Sequence, residues 1–337
     1  EWVSLGHPDK IADYISCRLL DRHLALDPKT RFAVEVQIKD RFVTLGGEVT
    51  SKAAFSDREI ARTVCDAVCE IGYTREYRKK WGKENTIAGD DLVVTSHIGR
   101  QSPDIAQGVD RSGWGDQGIF WGMAVASPET SFMPRDHFLA AAIGRRLFDS
   151  QYAGLDIKTQ VTMSGNQVKE IIVAIPMTEK HDVRKIGKLV TEGIEEHAFF
   201  GNLVINGTGR YVRHGPVGDC GTTGRKLAVD FYGGNCRLGG GSPWTKDGTK
   251  ADLSLNLLAR KFALDYLKNH GDIREVHCAI SCRIGSPEIL VAFFDSHMRQ
   301  LSHHRENVTP AEAIERFDLH SPRFGRMCRE GLLHDIS

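Results

Sequence analysis

A strand–strand–helix pattern occurs three times along this chain, and it restricts the possible folds more than any other feature of the sequence. Arg31 to Glu48 reads as two strands broken near Lys39-Asp40-Arg41, and Ser56-Asp57 then opens a helix that runs to Ile71 and stops at Gly72. Thr159 to Ser164, a turn at Gly165-Asn166, Val168 to Pro176 and a helix across His181 to His197 repeat the order. His277 to Ile284, a turn at Gly285-Ser286-Pro287, Ile289 to Asp295 and a helix opening at Thr309-Pro310 repeat it again. A length of 337 residues exceeds what one ordinary hydrophobic core supports. The expectation is an α+β protein of three similar domains in a pseudo-threefold arrangement, each a β-sheet with helices on one face. We place the domains at residues 1–106, 107–213 and 214–337.

Two further helices fit between these units. Pro8 suits the first turn of one that carries Ile11, Ile15, Leu19 and Leu20 on a single stripe, and Leu253 to Leu267 forms another that is apolar on more than one face. Lys plus Arg and Asp plus Glu each number 44. With no global field of either sign, neither nucleic acid nor a membrane is an expected partner. No apolar run approaches the ~20 residues of a bilayer span, and Glu1-Trp2-Val3-Ser4 does not read as a signal segment, so a cytoplasmic location is expected. The eight cysteines contain no C-x-x-C pair, which argues against a zinc site and for buried reduced thiols.

Glycines concentrate between Gly201 and Gly248, interleaved with Arg, Lys, Asp and Tyr rather than Ser, a composition that suits ligand-wrapping loops better than a linker. Gly218 to Leu227 is not a P-loop, because Arg225 follows Gly224 and Leu227 follows Lys226. It still offers glycine amides beside the Arg225-Lys226 pair, with Lys246 and Lys250 beyond the triple glycine 239–241. Two helix starts carry matching equipment: Gly6-His7-Pro8-Asp9-Lys10 and Lys246-Asp247-Gly248-Thr249-Lys250-Ala251-Asp252. Free amides there favour anions. Asp9 and Asp252 alone would only complement the helix dipole, but with His7, Lys10, Lys246 and Lys250 they suit a polyanion with bound Mg²⁺.

These segments carry a resemblance. Gly6 to Asp13, Gly46-Gly47-Glu48-Val49-Thr50, Gln101-Ser102-Pro103-Asp104-Ile105, Gly115-Asp116-Gln117-Gly118 and Gly215 to Lys226 resemble, in order, those of S-adenosylmethionine synthetases, with coverage from Glu1 to about Asp318. The resemblance implies a transferase that makes S-adenosylmethionine from ATP and L-methionine. In that reaction the methionine sulfur attacks C5′ of ATP, and the released triphosphate is hydrolysed to diphosphate and phosphate. A thioether sulfur carries no proton, so no general base is required, and positioning and electrostatics carry the catalysis. The implied catalytic set is His7, Lys158, Arg225, Lys226 and Lys246. The implied ATP-binding set is His7, Asp156, Lys158, Arg210, Tyr211, Asp219, Arg225, Lys226, Ser242 and Lys246. Methionine falls to Glu48, Gln101, Asp116, Asp219 and Lys250. Asp9 and Asp252 match the ligands of Mg²⁺, two ions per site, and Glu35 matches the K⁺ position. A homodimer with active sites at its interface is implied, with a dimer of dimers as the further option.

The chain also departs from that pattern. Leu5 replaces an acidic residue before Gly6, so a different local charge near the triphosphate is expected. Ser242 stands at a position usually held by Ala, Tyr211 at one usually held by Phe, and Pro243-Trp244 alter the glycine-rich signature. Only Arg111-Ser112-Gly113-Trp114 lie between Asp110 and Gly115, where relatives carry a longer covering loop. Either the lid is shortened, or Trp114 and Trp244 fill the gap with bulk. Past Phe317-Asp318-Leu319 the C-terminus reads as abbreviated. Two other classes stay open: a non-catalytic regulatory relative, and a tripolyphosphatase or kinase using the same phosphate cradle.

Overall fold

The computed structural model describes residues 1–99, 113–192, 194 and 199–336. Its strands are β1 (Trp2–Val3), β2 (Arg31–Lys39), β3 (Phe42–Thr50), β4 (Val93–Gly99), β5 (Gly118–Val125), β6 (Lys158–Ser164), β7 (Gln167–Ala174), β8 (Phe199–Ile205), β9 (Gly221–Thr222), β10 (Glu275–Cys282), β11 (Glu288–Phe294) and β12 (Gln300–Asn307). The helices of seven residues or more are α1 (Pro8–Leu24), α2 (Asp57–Ile71), α3 (Arg75–Trp81), α4 (Arg135–Ser150), α5 (Val183–Glu192), α6 (Ala251–Asn269), α7 (Pro310–Phe317) and α8 (Phe324–Glu330).

These strands form three sheets of four, ordered β4-β3-β2-β9, β1-β6-β7-β8 and β12-β11-β10-β5. The α+β reading holds, and each expected pair of strands is an antiparallel hairpin at the heart of one sheet. The chain also trades strands between sheets. β1 pairs with β6, β5 with β10, and β9 with β2, so each sheet is completed from a distant part of the sequence.

Local chemistry explains the elements. In β2, Phe32, Val34, Val36 and Ile38 point into the core while Glu35, Gln37 and Lys39 face out, the two-residue period of a half-buried strand. Each fully buried side chain of this size contributes roughly 1.5–3 kcal/mol. Helix α2 starts on a capping box between Ser56 and Glu59 and ends on Gly72 at φ 118°, as its sequence signals require.

Helix α1 is buried on nearly every side, so its polar residues need internal partners. Ser16 donates to Val34 O at 2.8 Å, and Asp21 accepts from the first two amides of α8 at 2.7 and 2.8 Å. Lys10 pairs with Asp230 at 2.6 Å and Asp13 at 3.1 Å. That pairing corrects one expectation: Lys10 is a buried structural cation, not a free group awaiting a polyanion. Helix α6 lies on β5 and β10 and carries Arg260, a guanidinium with no solvent exposure that donates to the carbonyls of Met123, Ser131, Phe132 and Ile336. Among the described residues no helix is long and apolar enough to cross a membrane. All eight cysteines are free, and Cys17, Cys278, Cys282 and Cys328 are buried.

Candidate active site

The chain before α1 is clamped to the chain before β6, and this contact creates the site. Ser4 donates to Leu155 O at 2.5 Å and accepts from Ile157 N at 2.9 Å. Gly6 lies so close to this segment that a Cβ would sit 2.3 Å from Leu155 O. Glycine is needed again at Gly221, where a Cβ would sit 2.1 Å from Pro8 O, and this approach lays β9 on the start of α1. His7 and Asp9 thereby meet Lys158 from one side and the 219–226 loop from the other.

His7 is the N-cap of α1, and its Nδ1 accepts from Asp9 N at 3.1 Å. Burial, then the nearby Lys158 and Lys226, depress its pKa to about 2. The ring is therefore neutral with its proton on Nε2, a fixed hydrogen-bond donor. It lines a cavity of about 420 Å³ together with Asp156, Lys158, Arg210, Tyr211, His214 and Asp219. That volume lies within the roughly 300–1,000 Å³ of small-molecule sites.

Asp156 is buried in the cavity wall. Its Oδ2 accepts from Gly215 N at 2.9 Å, while Oδ1 has no hydrogen-bond partner among the described residues. Burial raises its pKa to about 6, against the pull of its hydrogen bonds and Lys158. The Tyr211 hydroxyl donates to Asp156 O at 3.1 Å, which fixes the ring as a face on the cavity.

Two aspartates at helix starts share one arrangement. Asp9 Oδ1 accepts from Thr222 N at 2.9 Å, its Oδ2 pairs with Lys226 at 2.6 Å, and the Arg225 Nε lies 3.7 Å from Oδ1. Asp252, in the first turn of α6, accepts from Gly241 N at 2.8 Å on Oδ1 and pairs through Oδ2 with Lys246. Each carboxylate thus has one oxygen fixed by a backbone amide and the other covered by a lysine ammonium. Such a hard oxygen donor set fits a divalent cation that displaces the lysine.

The Lys246 group does not line the His7 cavity. Lys246 bridges Ala33 at the start of β2, and Lys250 pairs with Asp247 at 2.5 Å while Asp247 accepts from Phe32 N at 2.6 Å. Glu35 accepts from the Thr223 hydroxyl on the outward face of β2, and Glu48 is exposed on the outward face of β3. The buried Ser242 accepts from Trp244 N at 3.2 Å. Within one chain the candidate residues therefore fall into two groups, one around the cavity and one on and beside the open face of the first sheet.

The comparisons decide the family. The model of the S-adenosylmethionine synthetase N-terminal domain matches residues 1–103, and that of the C-terminal domain matches residues 213–336. The S-adenosylmethionine synthase of Salinibacter ruber is 35% identical over 98% of this chain and 91% of its own length. A solved structure described as an unusual S-adenosylmethionine synthetase from Campylobacter jejuni superposes with a TM-score of 0.85 at 28% identity, covering 99% of this chain and 93% of that one. The chain belongs to the S-adenosylmethionine synthetase family.

Among the sites that the resemblance to the family implies, Asp116 is exposed, its Oδ1 accepting from Gln117 N at 2.7 Å, and does not line the cavity. Gln101, Arg111 and Ser112 lie outside the described residues. Leu5, where an altered local charge is expected, does not line the cavity but a separate hollow with Trp2, Phe138 and Leu332. Trp114 and Trp244, the bulk expected as the alternative to a shortened lid, do not line the cavity. Both indoles are buried and anchored, Trp114 Nε1 donating to Val308 O at 3.0 Å and Trp244 Nε1 to Asp230 at 2.8 Å. Sequence reasoning missed His214 in the cavity wall and Tyr77 behind it. Neither has a motif of its own, and only tertiary contacts reveal them.

Proposed function

We infer that the chain carries out its family's reaction, joining ATP and L-methionine to give S-adenosylmethionine by attack of the sulfur on C5′, with hydrolysis of the released triphosphate. The observation that carries this reading is the neutral His7, with its Nε2 proton held at the cavity between Lys158 and the Arg225-Lys226 pair. As the C5′–O bond breaks, negative charge grows on the departing triphosphate, and a fixed donor beside cations stabilises that charge without reorganisation. Tyr211 and Arg210 take the adenine, and the unpartnered Asp156 Oδ1 takes a ribose hydroxyl. Lys158, Arg225, Lys226 and Lys246 take phosphate oxygens. Glu48, Gln101, Asp116, Asp219 and Lys250 take methionine.

Asp9 and Asp252 are the residues that would hold Mg²⁺, two ions per site, and Glu35 would hold K⁺. Bound Mg²⁺ supplies neutralisation of the triphosphate. The two separate groups of residues support a homodimer in which the open face of the β4-β3-β2-β9 sheet meets its copy, so that Lys246, Lys250 and Asp252 of one subunit complete the cavity of the other. Domains 1–106, 107–213 and 214–337, knitted by exchanged strands, and a cytoplasmic location complete the proposal.

The test is incubation of the purified protein with ATP, methionine, Mg²⁺ and K⁺, scoring S-adenosylmethionine and phosphate together. Both products support the synthetase. Phosphate alone would favour a tripolyphosphatase or kinase, and neither product a regulatory relative.

A further inference from the structure

The cavity has two walls from distant parts of the chain. One is the segment that carries Leu155, Asp156 and Lys158, and the other is the loop that carries Arg210, Tyr211 and Asp219. Behind them stands Tyr77 of α3, which is not among the cavity residues. Its hydroxyl accepts from Leu155 N at 3.0 Å and lies 2.7 Å from His214 Nε2.

The direction of that second bond follows from the other side of the ring. His214 Nδ1 lies 2.6 Å from Val212 O, and a carbonyl only accepts, so Nδ1 carries a proton. Burial holds the His214 pKa down to about 4, so the ring is neutral and Nε2 is an acceptor. The Tyr77 hydroxyl therefore donates to His214 while accepting from Leu155. His214 N also donates to Asn85 O at 2.9 Å, and the Trp81 ring packs edge-on against the imidazole with centroids 4.8 Å apart. The hydroxyl is thus a single hub whose two bonds end in the two walls, one residue from Asp156 and three from Tyr211.

We propose that Tyr77 and His214 are positioning residues that set the separation of the two cavity walls, and with it the affinity for the nucleotide. The proposal rests on the reading of this cavity as the ATP site. Tyr77 touches no ligand in it and acts only through Leu155 and His214. Without the hub, the walls remain joined directly through Asp156, by Tyr211 and Gly215, and indirectly through the 176–177 segment, where Gly154 N donates to Pro176 O at 2.9 Å and Met177 N to Tyr211 O at 2.7 Å. A displacement of a few tenths of an ångström there misplaces Asp156 and Tyr211 relative to each other.

The experiment uses the full chain and measures binding of the β,γ-imido analogue of ATP by calorimetry, together with KM for ATP and for methionine and the melting temperature. Tyr77→Phe is expected to weaken nucleotide binding about tenfold and leave KM for methionine within twofold. His214→Asn keeps a donor for Val212 but loses the acceptor for Tyr77, and is expected to match Tyr77→Phe. His214→Gln places an oxygen where Nε2 stood and is expected to recover most of the affinity. Combining Tyr77→Phe with His214→Asn should add little to either alone. Lys158→Ala, in the cavity itself, tests the underlying reading. If it leaves nucleotide affinity unchanged, the cavity is not the ATP site and the inference falls with it. If Lys158→Ala abolishes binding while Tyr77→Phe and His214→Asn bind like the parent, only the positioning role is overturned. Equal losses for both substrates, or a failure of His214→Gln to outperform His214→Asn, overturn it too, because they indicate a general structural defect.

Discussion

Replacing His7 separates two roles that one side chain fills. Its Nδ1 caps α1 and its Nε2 presents a proton to the cavity. Burial and the nearby Lys158 and Lys226 depress its pKa to about 2, so the ring is neutral at pH 7. The donor is therefore present at neutral pH. His7→Asn keeps an efficient N-cap, so stability should change by no more than ~0.5 kcal/mol, while the Nε2 proton is lost. Removing one preorganised donor to a developing oxyanion costs ~2.7–4 kcal/mol, or ~10²–10³-fold in kcat. His7→Ala should show the same loss of kcat plus ~1 kcal/mol of stability from the missing cap. The assay is single-turnover formation of S-adenosylmethionine at saturating substrates, with nucleotide affinity measured separately. Affinity should fall by no more than about threefold, since charge on the bridging oxygen grows mainly in the transition state. If His7→Asn turns over within threefold of the parent, or loses binding as much as turnover, the leaving-group role is wrong.

Asp156→Asn should stabilise the fold and weaken nucleotide binding. The pKa rises from 3.8 to about 6 on folding, so at pH 7 burial of the charge costs roughly 1–3 kcal/mol. The folded state holds the proton more tightly, so the cost accumulates as pH rises from 4 to 6, and the two melting curves should converge below pH 4. Asp9→Asn and Asp252→Asn should each raise the Mg²⁺ concentration for half-maximal activity, since an amide keeps the size but loses the charge a hard cation seeks; titrations identical to the parent would leave these residues as partners of Lys226 and Lys246 only. Arg260→Met should cost about 3 kcal/mol in denaturant melts, because four carbonyls lose a charged donor, and an unchanged midpoint would refute that clamp. Specific activity should fall with the dimer population on dilution, and an active monomer seen by sizing would contradict the shared site.

What the sequence displays and what it conceals follow from the range of the interactions. Ser56, Glu59 and Gly72 fix the ends of α2 through contacts within a few residues, and Pro8 does the same at the start of α1. The alternation in β2 and the turns at Gly165 and Gly285 are equally local. Strand exchange is not local. β1 and β9 are two residues each, too short for any period, and they join sheets through partners more than 150 residues away. Helix α4 also gives little warning, since Pro134 stands at its N-cap, no side chain caps it, and Gly144 lies in its middle, packed against Trp2. At the site, Asp9 and Lys226 are legible as charges in motifs, and Lys158 only through the family resemblance. Their protonation and pairing are not, because burial decides them. Lys10 shows the difference, a lysine inside the motif whose charge is spent on Asp230 and Asp13.

The two aspartate–lysine pairs suggest how this chain keeps so many cations close together without a substrate. Lys226 would repel the neighbouring Arg225 if it stood free, and desolvation would raise that cost. Lys226 and Lys246 are each instead held by a carboxylate whose second oxygen is fixed by a backbone amide, so the fold stores the lysine next to its working position. In the proposed reaction Asp9 and Asp252 would hold the metal and Lys226 and Lys246 would turn to phosphate oxygens, an exchange of partners rather than a creation of charge. One pair, Asp9–Lys226, stands beside His7 at the start of α1, and the other, Asp252–Lys246, stands beside β2, so a single chain would prepare half of this exchange at each place. In the proposed homodimer a second copy would cover the open sheet face and bring the two halves to one nucleotide, so dilution and the loss of either aspartate should damage the same step.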